Sequence, residues 1–135
     1  MAIDYGTKRV GIAVTDPLRM IATALDTVHP TALIEYMENY FKKENVDTLV
    51  VGEPKQLNGE ATHATKPTNE FIAHFKKKFP GIKVEREDER YTSKMAMDAM
   101  IMAGSKKKDR KQKENIDKLS AVIILQSYLL RQTGI

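Results

Sequence analysis

The sequence predicts an α/β fold: a mixed five-stranded sheet, three antiparallel strands followed by two parallel ones, flanked by helices. Three observations carry this expectation. The opening reads as strands: a short apolar run over Met1 to Tyr5, a period-two alternation over Arg9 to Thr15, and a less regular alternation over Met20 to Val28. Beyond Thr31 the apolar period lengthens to that of a helix, and short β-branched runs then alternate with helical stretches. The resulting order, βββ-α-β-α-β-α-α, gives the later strands the helical crossovers that parallel neighbours require.

Each element has a local reason. Met1 to Tyr5 is a short apolar strand that ends at Asp4-Tyr5-Gly6. Arg9 to Thr15 places Val10, Ile12 and Val14 on one face and the small Gly11 and Ala13 on the other. Asp16-Pro17-Leu18-Arg19 is a turn, and Met20 to Val28 is a third strand at the sheet edge. Thr31 caps a helix carrying Ala32, Leu33, Ile34, Tyr36, Met37, Tyr40 and Phe41, with Glu35 one turn after the cap. Asp47 to Gly52 is a buried strand, and Glu53 to Lys66, with Pro54, Asn58 and Gly59, is a loop. A second helix covers Pro67 to Phe79 on a stripe of Phe71, Ile72 and Phe75, and Pro80-Gly81 stops it. Ile82 to Glu87 is a charged, alternating strand. Thr92 or Ser93 opens a third helix that Gly104 ends, a lysine-rich loop follows, and the last helix runs from Ile116 to Arg131.

Composition narrows the function classes. At 135 residues the chain has room for one domain, expected over 1–135, since a domain takes roughly 100–200 residues. Hydrophobic residues make up 41% and charged ones 30%, an ordinary globular balance rather than a disordered one. The lack of cysteine excludes a disulfide scaffold, a thiolate zinc site and a cysteine nucleophile. Apolar runs such as Ala121-Val122-Ile123-Ile124-Leu125 are too short to cross a bilayer, and no charged-then-apolar leader opens the sequence. A cytoplasmic protein with no membrane partner is expected. The balance of 22 basic against 18 acidic residues gives a net charge of +4, mildly favourable to a polyanionic partner. Lys76, Lys77 and Lys78 form one cluster; Lys106, Lys107, Lys108, Arg110, Lys111 and Lys113 form a denser one. Such runs are also common as plain solvated segments.

In open α/β sheets, ligands collect outside the carboxyl ends of the parallel strands. Three strand ends here carry chemistry: Asp4-Tyr5-Gly6, Gly52-Glu53-Pro54 and Asp88-Glu89-Arg90. Each alone reads better as a turn, because Asp, Gly and Pro are turn residues; three at one sheet edge shift the balance toward a site. Asp4 is followed by Lys8 and Arg9, so a structural pairing with Arg9 competes with a role in chemistry. Asp117 leads the stripe of Ala121, Ile124 and Tyr128 on the last helix, which aims a carboxylate at the sheet. Helix-dipole stabilisation near an N-terminus, typically about 0.3–1 kcal/mol, explains an Asp there but not its face. If Asp4, Asp117 and one of Asp88 or Glu89 converge, their repulsion is relieved by a hard divalent cation, Mg²⁺ or Mn²⁺. Two such ions about 3.5–4 Å apart activate water and stabilise the leaving oxygen of a phosphodiester. His29, His63 and His74 show no ligand spacing and read as surface residues, and most methionines follow helical periodicity as core filler.

The blocks Asp4-Tyr5-Gly6-Thr7-Lys8-Arg9-Val10-Gly11-Ile12-Ala13, Val51-Gly52-Glu53-Pro54 with Gly59, Asp88-Glu89-Arg90-Tyr91-Thr92-Ser93 and Ile116-Asp117-Lys118-Leu119-Ser120-Ala121 with Ile124-Leu125-Gln126 resemble the YqgF/RuvX family. They span nearly the whole chain in the family's order. The resemblance implies a ribonuclease H-like fold related to the RuvC Holliday-junction resolvases. It also implies a metal-dependent nuclease, associated with maturation of the 5′ end of pre-16S ribosomal RNA or with resolution of branched DNA. Carried over by position, Asp4, Glu89 and Asp117 are the metal-binding catalytic acids, with Asp88 the alternative middle acid. Lys8, Arg9, Lys55 and Arg90 would contact phosphates, and the lysine loop from Lys106 to Lys113 would hold the strand. Two departures stand out. Only Met1, Ala2 and Ile3 precede Asp4, where the family usually has a few more residues, and Glu53 is an extra carboxylate whose role is open.

Two other readings compete. Asp-x-Gly-Thr-Lys before alternating strands also resembles the phosphate-binding hairpin of actin-like ATPases and sugar kinases, but those close two such domains over a nucleotide. A non-catalytic RNA-binding or ribosome-assembly module would need no metal, yet no aromatic stacking platform is evident. The oligomeric state, monomer or homodimer, is open.

Overall fold

A computed structural model of the chain describes residues 1–53, 65–88 and 113–132. Its strands are β1 (Ala2–Tyr5), β2 (Val10–Thr15), β3 (Ala22–Val28), β4 (Thr48–Glu53) and β5 (Lys83–Asp88). Its helices are α1 (Leu33–Lys43), α2 (Thr65–Lys78) and, last in the chain, α3 (Lys113–Gln132). The strands form one sheet in the order β3-β2-β1-β4-β5. β3, β2 and β1 are antiparallel to one another, while β1, β4 and β5 run parallel. This is the mixed sheet that the sequence predicts. The helix expected between Thr92 and Gly104, and the lysine loop up to Lys111, lie outside the described residues.

Side chains on the two faces of the sheet build two cores. On one face, Ile3, Val10, Ile12, Leu49 and Val51 meet Leu33 and Met37 of α1 and Phe71, Ile72 and Phe75 of α2. On the other, Ala2, Ala13 and Val50 meet Ala121, Val122, Ile124 and Leu125 of α3. The alternation in β1 and β2 explains the division: large residues face α1 and α2, while small ones let α3 approach closely.

The loop expected over Glu53 to Lys66 is shorter than predicted, since Glu53 ends β4 and α2 already starts at Thr65. Three further boundary differences each have a local reason. β3 starts at Ala22 rather than Met20, because the Asp16 carboxylate accepts hydrogen bonds from both the Met20 and Ile21 amides at 2.8 Å. Those bonds hold the Asp16 carboxyl below its ordinary pKa, the Ile21 amide contributing most. Arg19 adopts a left-handed φ of 59° in the same turn. Thr31 does not cap α1. A short 3₁₀ turn over Pro30–Ala32 precedes the helix, and the exposed His29 ring accepts from the Thr31 amide at 3.2 Å. Pro30, with φ already fixed, starts the turn before Thr31 can act. Finally, α3 begins at Lys113, three residues before Ile116. Lys113 and Glu114 are good helix formers with nothing to stop them, so Lys113 belongs to the helix rather than to a loop.

Candidate functional site

The parallel strands β1, β4 and β5 end on one edge of the sheet, and each end carries an acidic residue: Asp4, Glu53 and Asp88. The ladder aligns them. Ala2 and Ile3 pair with Val50 and Val51, and those pair with Glu85 and Arg86. Continuing that register sets Asp4 beside Gly52, which pairs with Glu87, while Glu53 pairs with Asp88 one row further out. With strands about 4.8 Å apart, Asp4 and Glu87 are about 10 Å apart along one row. Gly52, between them, contributes no side chain.

Asp4 follows Ala2 by two residues and so shares its face, the one covered by α3. Tyr5 points the other way and stacks on Phe71 of α2, with ring centroids 5.2 Å apart. Burial first, then the neighbouring Glu70 carboxylate, raises the Tyr5 pKa. The end of β1 is thus gripped from the α2 side while Asp4 is presented to the α3 side. Directly after it the chain turns, closed by the Gly6 amide donating to the Arg9 carbonyl at 2.9 Å. A Cβ at Gly6 would lie 2.6 Å from that carbonyl oxygen, so only glycine allows this closure without displacement. The turn leaves Lys8 exposed and Arg9 half-buried, immediately beyond Asp4.

On α3, Ala121 and Ile124 are buried against the sheet and Tyr128 packs beside them, the stripe that Asp117 leads in sequence. Asp117 sits one turn before Ala121 in the helix. Because α3 starts at Lys113, Asp117 is beyond the first turn, where support from the macrodipole has largely fallen away. The side chains of Glu53, Asp88, Lys113 and Asp117 lie outside the described residues, as do Lys55, Glu89, Arg90, Lys106, Lys107, Lys108, Arg110 and Lys111 altogether. Among the described residues no group of three His, Asp or Glu side chains could hold a metal ion.

Glu87 is the residue that sequence reasoning passed over. Its side chain is only 12% exposed, and Arg131 near the C-terminus of α3 approaches its Oε2 at 3.2 Å. That oxygen is shielded from water and has no well-aligned hydrogen bond, so charge attraction alone offsets its burial. Arg131 also donates to the Arg86 carbonyl at 3.4 Å and lies 5.6 Å over the Tyr128 ring. The end of α3 is thereby tied to β5 one residue before Asp88. An alternation of Val84 inward with Glu85 and Glu87 opposite was the available signal.

Comparison with known proteins bears on the whole chain. A family model described as "RuvX: Holliday junction resolvase" matches residues 1–131. A protein of Flavobacterium psychrophilum named "Putative pre-16S rRNA nuclease" is 48% identical over 132 residues, covering 98% of this chain and 96% of its own. One of the same name from Christiangramia forsetii is 50% identical over 129 residues, covering 96% of each. Among solved structures, the Fowlpox virus resolvase, crystallised with its substrate Holliday junction DNA, superposes with a TM-score of 0.60 at 16% identity. That match covers 96% of this chain and 95% of the resolvase, and it shows a shared fold. No described helix is long and apolar enough to cross a membrane. With residues 1–131 matched by the family model, and nearly the whole chain by relatives about half identical to it, the chain belongs to the RuvX family.

Proposed function

We propose that this protein is a metal-dependent nuclease that hydrolyses phosphodiester bonds in structured nucleic acid, acting at the 5′ end of pre-16S ribosomal RNA. One observation carries the reading: the strand ends bearing Asp4, Glu53 and Asp88 share a sheet edge, and Asp4 faces the helix that carries Asp117. The names of relatives matched over nearly the whole chain supply the substrate. Residues 1–135 act in this reading as one ribonuclease H-like domain.

The donor set suits the cation. The acids are all oxygen donors, the chain has no cysteine, and Gly52 keeps the row beside Asp4 clear of a competing side chain. Asp4, Glu89 and Asp117 would hold Mg²⁺ or Mn²⁺. The family resemblance favours Glu89 as the middle acid, with Asp88 as the alternative; in the sequence both follow Glu87, which shares the α3 face with Asp4. The bound ion would supply a nucleophilic water at neutral pH and stabilise charge on the leaving oxygen. The carboxylates orient it, and Asp4 is held by the Tyr5–Phe71 stack on one side and the Gly6–Arg9 turn on the other. Lys8 and Arg9, joined by Lys55, Arg90 and the basic segment from Lys106 to Lys113, would draw the phosphate backbone toward the strand ends.

The family description and the resolvase structure favour a second substrate, branched DNA. Phosphate contacts carry no base information, so experiment must choose. The test is a cleavage panel of pre-16S ribosomal RNA, linear DNA and a four-way DNA junction, with Mg²⁺ or Mn²⁺, run beside Asp4→Asn. Metal-dependent cleavage of the RNA precursor that Asp4→Asn abolishes supports the reading; cleavage of the junction alone reassigns the substrate. Salt-sensitive binding without metal-dependent cleavage on any substrate refutes it in favour of a non-catalytic module.

A further inference from the structure

The lysine cluster at Lys76, Lys77 and Lys78 has no part in the site above, and the fold gives it company. α1 and α2 each end just before a parallel strand, so both C-termini lie at the sheet edge opposite the ends of β1, β4 and β5. Phe41 of α1 packs against Phe75 and Phe79, with centroids 6.3 and 5.1 Å away, which fixes the two helix ends side by side. Lys78 ties them further through an ion pair to Glu38 at 3.0 Å. On this rigid base Lys42, Lys43, Lys76, Lys77 and Lys78 are all exposed. The nearby acids in these two helix ends are Glu38, already paired with Lys78, and Glu44, which caps α1.

Lysines at helix C-termini complement the macrodipole, which explains one or two per helix. It does not explain five gathered on two helices locked together by aromatic packing. We propose that the joined ends of α1 and α2 form a second phosphate-contacting surface, which holds a double-helical part of the RNA substrate away from the cleavage edge. The inference rests on the reading of this protein as a nuclease of structured RNA. Its geometry is favourable: β4, at six residues, spans about 20 Å, a distance that a duplex longer than one turn readily covers.

The test uses a 5′-extended RNA duplex of about two turns, with binding measured across salt concentrations. Two variants, Lys42→Gln/Lys43→Gln and Lys76→Gln/Lys77→Gln, each remove two charges from the surface. A control, Thr23→Glu/Ala24→Glu, makes the same change in net charge on the exposed edge strand β3. Each lysine variant is expected to reduce the slope of log K against log salt by about 1–2 and to weaken binding several-fold, while the control retains the wild-type slope. Equal slopes in all four proteins, or an equal loss in the control, would overturn the proposal; the lysines would then serve the helix ends alone. Failure of the nuclease reading looks different: no cleavage by the wild-type protein, with duplex binding still dependent on these lysines.

Discussion

Replacing Gly6 by alanine tests how the turn after β1 is built. The added Cβ would lie 2.6 Å from the Arg9 carbonyl oxygen, a backbone atom, so the turn must open by at least about 0.4 Å to reach even the tightest tolerated contact. The same oxygen accepts the Gly6 amide at 2.9 Å, so opening the turn also loosens a hydrogen bond worth about 0.5–1.5 kcal/mol. Overpacking of this kind costs typically about 1–3 kcal/mol. Against it stands a gain of about 0.4–1 kcal/mol from a less flexible unfolded chain. Gly6→Ala should therefore destabilise by about 1–3 kcal/mol. Gly81 supplies the matched control. A Cβ there meets nothing within 4 Å and its φ is negative-side or extended, so Gly81→Ala keeps only the unfolded-state gain. Urea unfolding of both variants measures the difference, and a thermal midpoint lower by roughly 3–5 °C per kcal/mol should accompany it. Gly6→Ala within 0.5 kcal/mol of wild type, a typical surface value of about ±0.5, would refute this account of the turn.

Two further outcomes follow from the packing. Arg131→Gln leaves the Glu87 carboxylate buried without its cation and should cost about 1–2 kcal/mol; the half-exposed Arg131 keeps this below the value for a fully buried pair. Adding Glu87→Gln should recover most of that loss, and a double-mutant cycle with no coupling would discard the clamp between α3 and β5. The Tyr36 hydroxyl, raised to about 12 by burial first and then by the Asp26 carboxylate, should titrate late in an absorbance difference between wild type and Tyr36→Phe. Its neutral form is favoured in the fold, so this stabilisation is complete below pH 10 and disappears as pH rises from 10 to 12. Asp26→Asn should lower that pKa only part of the way, because burial contributes most; a return to the ordinary tyrosine value would reverse the order of causes.

Much of the architecture was legible in local pattern. The alternation of Val10, Ile12 and Val14 with Gly11 and Ala13 gave both the strand and its division between two cores, because a pleated strand must send neighbours to opposite faces. The stripe of Ala121, Ile124 and Tyr128 likewise placed α3 on the sheet. What pattern missed was competition between neighbours for the same backbone groups. Asp16 took the Met20 and Ile21 amides from β3, and His29 with Pro30 displaced Thr31 as a cap. At the site, Asp4 stood out because a charged residue ends an apolar strand, and the ladder brings its strand end into line with those of Glu53 and Asp88. Glu87 did not stand out, since its partner Arg131 is 44 residues away and only the folded chain brings the two together. Asp117 owes its assignment to the family resemblance and to its position along α3, and Glu89 to the family resemblance alone.

Mn²⁺ binding to the intact protein, followed by calorimetry, bears most directly on the proposed chemistry. Wild type should bind the ion, and Asp4→Asn, Glu89→Gln and Asp117→Asn should each bind it far more weakly while retaining the wild-type circular dichroism and cooperative unfolding. Undiminished affinity in all three folded variants would contradict a shared carboxylate site at the ends of these strands.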